Sequence, residues 1–113
     1  MFDFQKLTVY QKSKTFHLNC KEITTRINEK YVIDQLRRAS HSIILNIAEG
    51  SAKSSKADRK NYFTIARGSV FECVSILDIL NTENKIDDTS YLKLLKLGDE
   101  LSKMLFKMNQ NLS

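Results

Sequence analysis

Not one proline interrupts this 113-residue chain, and it holds only three glycines. Proline breaks helix interiors and glycine is costly within them, so the absence of the first and scarcity of the second favour long, uninterrupted helices. The apolar residues then recur with a helical period. Val9, Ser13, Phe16, Cys20, Ile23 and Ile27 advance in steps of four and three. At 100° per residue they fall within about 40° of one line. This predicts a first helix over 9–26, with Thr8 and Gln11 spaced as a capping box.

Three more segments follow. Val32, Leu36, Ser40, Ile43 and Ile47, widened by Ile33, Ile44 and Ala48, predict a second helix over 29–49, opened by Asn28 and stopped by Gly50. The polar run 51–56 is the clearest loop. Ser55 as cap, with Asp58 three residues on, opens a third helix reaching Asn81, striped by Tyr62, Ala66, Val70, Cys73, Leu77 and Leu80. After a polar turn, Leu94, Leu101, Leu105, Met108 and Leu112 line one face of a fourth helix over 90–109. Helices of about 18–27 residues span roughly 27–40 Å. Short connections force antiparallel neighbours, so the expected fold is all-α, an antiparallel up-down-up-down four-helix bundle forming one domain over 1–113.

The third helix carries more apolar surface than one stripe needs. Ile65, Ile76 and Ile79 flank it on one side, Phe71 and Val74 on the other. Self-association would cover them; so would an inward fold of the larger side chains. Gly68, in mid-helix, fits a close backbone approach. Near it stand polar residues on apolar ground: Arg38, Asn46, Glu49, Arg67 and Glu72. Arg67 with Glu49, or Arg38 with Glu72 or Asp34, would form a network fixing helix register or a subunit contact. The alternative, a catalytic carboxylate site, lacks an accompanying nucleophile or metal-ligand set.

Charge is unevenly spread. Residues 1–70 hold 13 Lys/Arg against 6 Asp/Glu, whereas residues 71–113 hold 5 against 7. Lys53, Lys56, Arg59 and Lys60 crowd the loop and first turn of the third helix, where the helix dipole also favours anions. Lys14 and Lys21, seven apart, share a face of the first helix. Such a surface would grip RNA or DNA phosphates without reading bases, or serve only solubility.

Enzyme chemistry finds little support. No Glu lies three before His17 or His41, as di-iron bundles require, and no phosphate-cradling glycine loop occurs. No Ser or Cys stands beside a candidate base in the sequence. Cys20 and Cys73 lack metal-ligand spacing and fall on core stripes, as small buried hydrophobes do. No cofactor is expected. With no membrane-length apolar stretch and no secretory leader at Met1–Lys6, the expected location is the cytoplasm.

The segment Gln35-Leu36-Arg37-Arg38-Ala39-Ser40-His41-Ser42-Ile43-Ile44-Leu45-Asn46-Ile47-Ala48-Glu49-Gly50 resembles the signature of a bacterial four-helix-bundle family encoded within intervening sequences of large-subunit ribosomal RNA genes. Ala66-Arg67-Gly68-Ser69-Val70-Phe71-Glu72 resembles its second signature, and Phe4…Leu7-x-Val9-Tyr10-Gln11-Lys12 its opening. The resemblance implies a homo-oligomer, typically a pentameric ring. The chain is also similar to the accessory protein of diversity-generating retroelements, a basic pentamer that binds nucleic acid and a reverse transcriptase. Three departures stand out: Ile44 replaces a usual proline, Leu45 a small polar residue, and the turn between the first two helices lacks its usual proline, which should straighten the second helix and add apolar surface. The reading that results is a non-enzymatic, ring-forming bundle binding nucleic acid electrostatically. A scaffold for a protein partner is the alternative.

Overall fold

The structure is a computed structural model that describes residues 1–112. A short 3-10 turn, Asp3–Lys6, leads into four α-helices: α1 (Thr8–Thr24), α2 (Lys30–Ala52), α3 (Lys56–Thr82) and α4 (Asp88–Asn111). α1 packs on α2 and α4, and α3 packs on α2 and α4, which closes an antiparallel four-helix bundle of 44 × 24 × 21 Å. The core is built from the periodic residues: Phe16, Leu36, Ile43, Ile47, Leu77, Leu101 and Leu105 are all but inaccessible. Burying each such side chain stabilises by about 1.5–3 kcal/mol. Cys20 and Cys73 meet at the centre. Hydrogen bonding to Cys73 and burial push the Cys20 thiol up, so it stays protonated and inert.

The ends of the helices correct the expectations in detail. Thr8 does not cap α1: Leu7 is the cap residue, with no side-chain hydrogen bond, and the Gln11 amide donates instead to the Gln5 carbonyl at 2.6 Å. α1 ends two residues early because Thr24 and Thr25 donate their hydroxyls to the carbonyls of Lys21 and Glu22, in competition with continued helix. Asn28 does not cap α2 either. Glu29 takes that position, and its carboxylate is held by Lys85 from the far turn.

Gly50 is not a stop. α2 continues to Ala52, and a side chain at Gly50 would sit 2.7 Å from the Phe63 ring, so this glycine lets α3 approach. Ser55 does cap α3, accepting from Asp58 N–H at 3.1 Å. α3 closes in a Schellman turn. Asn84 takes the left-handed conformation (φ 57°), and Lys85 N–H reaches back to the Leu80 carbonyl at 2.9 Å. Asp87 caps α4 through Ser90 N–H at 2.9 Å; these bonds to Ser90 hold the Asp87 carboxyl below the ordinary carboxylate range.

Candidate nucleic-acid interface

The four basic residues around the α2–α3 loop do not form one patch. Lys53 lies 3.9 Å from Glu49 and over the Tyr62 ring. Lys56 points to solvent. Arg59 turns toward the N-terminal turn, into a hollow of about 480 Å³ lined by Phe2, Phe4 and Ser51. Its Nε is buried without a hydrogen-bond partner among the described residues. Lys60 lies on the other flank, beside Thr64 and Arg67. Helix periodicity explains the split: neighbours in a helix diverge by 100° each.

The α1–α2 flank is more concentrated. Lys14 and Lys21 stand about 10 Å apart along the α1 axis, Lys14 over the Tyr10 ring at 5.1 Å. Between them lies His17, whose Nδ1 is 2.6 Å from the hydroxyl of Ser40 on α2. The His41 ring lies 5.5 Å from the His17 ring. Burial first, then His41, Lys21 and Arg37, hold the His17 pKa below its ordinary value. Four other basic side chains thus surround or flank one imidazole. No carboxylate lies within ion-pair distance of Lys14, Lys21, Arg37 or His41 among the described residues.

This cluster was within reach of the sequence. A hairpin turning near residue 28 brings position 17 opposite positions near 40, and so pairs an imidazole with a serine. The expectation that no serine stands beside a base is therefore corrected. Ser40 is nonetheless fully buried, so no substrate reaches its hydroxyl as a nucleophile. No group of three or more metal-ligating side chains occurs among the described residues, and no helix there is long and apolar enough to cross a membrane.

The α3–α4 flank has a different chemistry. The Arg67 guanidinium lies between the rings of Phe71 and Phe106, at 5.0 and 5.2 Å from their centroids. Its Nε donates to the Ser102 carbonyl and hydroxyl, at 3.2 and 3.1 Å. A groove of about 600 Å³ runs past it. Phe71 and Phe106 are each more than half exposed; on the opposite edge of α3 Ile79 is too and Ile65 nearly so, whereas Ile76 is buried. A side chain placed at Gly68 would meet nothing within 4 Å, so this glycine serves no close approach inside the chain.

The anticipated ion pairs of Arg38, Glu49, Arg67 and Glu72 do not form. Arg67 sits two residues, about 200°, from Ser69, which faces α2. It therefore points to α4 rather than to Glu49. Glu49 meets Lys53 instead, and neither Arg38 nor Glu72 has an ion-pair partner among the described residues. A neutral network replaces them at the α2–α3 seam: Asn46 Nδ2 donates to the Ser42 carbonyl and hydroxyl, and the Ser42 and Ser69 hydroxyls meet at 3.1 Å.

With this geometry in view, the sequence model of the 23S rRNA-intervening sequence protein family matches residues 5–107. The chain belongs to that family. Among solved structures, a protein of unknown function from the S23 ribosomal protein family of Bacteroides thetaiotaomicron VPI-5482 superposes with a TM-score of 0.83 at 25% identity. The match covers 90% of this chain and 98% of the other. No curated protein matches the chain. For this intervening-sequence protein, then, family membership defines the bundle and names no reaction.

Proposed function

We propose that this intervening-sequence protein is a non-enzymatic, cytoplasmic homo-oligomer that binds RNA, or other nucleic acid, through backbone phosphates. The observation that carries this reading is the α1–α2 flank, where Lys14, Lys21 and Arg37 have no carboxylate partner among the described residues. Lys53, Lys56, Arg59 and Lys60 extend positive charge around the end of the bundle. They would touch phosphates in several directions rather than in one row. Assembly, as a pentamer by the family resemblance, would repeat these weak contacts and strengthen them through multivalency.

The α3–α4 flank supports the oligomeric half of the reading. Exposed Phe71 and Phe106 there, with exposed Ile65 and Ile79 farther round α3, leave apolar surface of the kind that marks contacts between proteins. In this account Gly68 matters between subunits, where a neighbour's backbone would come close. The same surface favours a second reading: a scaffold for a different protein, with no nucleic-acid binding.

Fluorescence-anisotropy titration with a structured RNA and a DNA duplex, at about 50 and 200 mM salt, separates the two. Phosphate-driven affinity should fall steeply between those conditions. Absence of binding at the lower salt would overturn the nucleic-acid reading and leave the scaffold.

A further inference from the structure

We infer that the α1–α2 face around His17 and His41 is a phosphodiester subsite whose grip on RNA strengthens as the two imidazoles take up protons. The inference rests on the nucleic-acid reading above and adds to it a site and a proton requirement.

The buried partner of His17 makes this possible. Ser40 Oγ lies 2.6 Å from His17 Nδ1 and 3.2 Å from the Arg37 carbonyl. A hydroxyl has one proton and two acceptor lone pairs. With neutral His17, Ser40 can donate to Nδ1. With the imidazolium, Nδ1–H donates to Ser40, whose own proton turns to the Arg37 carbonyl. No group is orphaned in either state, so one fixed backbone accommodates both. An apolar partner would have penalised the charged ring; this serine does not.

The surroundings make the proton conditional. On this face, burial and the adjacent cations favour the neutral ring. Those groups are Lys21 on α1, and Arg37 and His41 on α2. Asp34, two turns before His41 on α2, forms no ion pair among the described residues, and neither does Glu72 on α3, one turn beyond Ser69. On the other flank of α1, Glu100 of α4 is engaged by Lys12 at 2.9 Å. This face therefore has surplus positive charge and no committed acid. A phosphodiester docking on it would offset the repulsion that disfavours the charged His17 ring. Ring protonation and phosphate binding then promote each other, as linkage demands.

These are the only two histidines in the chain, so the test is clean. An oligouridylate strand, whose bases gain no proton in this range, is titrated at pH 7.5 and 5.5 in about 50 mM salt, with His17→Gln/His41→Gln and His41→Gln alone alongside. The wild type should bind roughly three- to tenfold more tightly at pH 5.5. The double variant should lose that gain, its affinities at the two pH values converging. The exposed His41→Gln variant should lose part of it, which covers the case in which the double variant melts. In parallel, saturating RNA should raise the titration midpoint of the His17 imidazole in NMR spectra. Equal pH dependence in wild type and both variants would overturn the subsite and leave general phosphate binding standing. No binding at either pH would overturn the subsite and the nucleic-acid reading together.

Discussion

The α1–α2 flank and the α3–α4 flank rest on the same core and leave opposite chemistries at the surface. On the first, Lys14, Lys21, Arg37 and His41 stand around His17 without a committed carboxylate. On the second, the guanidinium of Arg67 packs against two phenyl rings and is hydrogen-bonded to Ser102, so that its faces and its Nε are engaged within the chain. The contrast teaches that net charge is a poor guide to a binding face. What matters is whether each cation already has a partner. Arg67 adds to the formal charge as much as Arg37 does, yet it works as an anchor for exposed aromatics.

The largest expected effect removes the distinction altogether. Phe16 is fully buried beneath both faces, and Phe16→Ala should destabilise the fold by about 3–5 kcal/mol. Denaturant unfolding measures this, and RNA binding and assembly should weaken together. A loss below about 1 kcal/mol would mean that the two faces do not share the core described.

Charge reversal should separate the faces. Lys14→Glu/Lys21→Glu should weaken RNA binding at least tenfold, about 1.4 kcal/mol or more, with the subunit count by light scattering unchanged. Gly68→Leu should do the reverse. Its side chain meets nothing inside the chain, so the subunit should gain up to about 1 kcal/mol from relief of a mid-helix glycine. Assembly should nevertheless change, and an unaltered subunit count would move the interface elsewhere. Gly98→Val provides the internal contrast, because an added Cβ there stands 2.9 Å from Val74 and should loosen the α3–α4 contact of the monomer itself.

The smallest effect concerns pH. The folded-state pKa of His17 lies below its ordinary 6.5, chiefly through burial. Between those two values the unfolded chain binds the proton more readily, so stability is full above pH 6.5. It is lost as pH falls from there through the folded-state value. Thermal melts should record a decline over that window that His17→Gln diminishes. Identical pH dependence in the variant would show that the ring's burial carries no such linkage.

The core was legible because period and burial are tied by helix geometry: every member of the first stripe, from Val9 through α1 to Ile27 just beyond it, is buried. Glycine and cap positions were less so. Gly50 reads as a stop by its place after the last periodic residue, but the ring of Phe63 on another helix decides its role. Thr8 satisfies a capping pattern that the 3-10 turn before it supersedes. The excess of apolar surface on α3 was legible, although Ile76 turned inward where Ile65, Phe71 and Ile79 did not. Within the candidate site, shared faces such as Lys14 and Lys21 follow from spacing along one helix. Arg67's partners lie on α4, and choosing between Glu49 and Ser102 requires knowing the rotation of α3. The pairing of His17 with Ser40 needed only the hairpin's register.

The most direct test compares salt slopes. RNA affinity is measured across about 50–200 mM salt for the wild type, for Lys14→Glu/Lys21→Glu, and for Phe71→Ala/Phe106→Ala held at matched subunit count. Every phosphate that the protein ceases to neutralise should flatten the slope by about 0.7–0.9. The account predicts a flatter slope for the charge-reversed α1–α2 face and the wild-type slope for the truncated α3–α4 face. A wild-type slope for the lysine variant, or a flattened one for the phenylalanine variant, would contradict it.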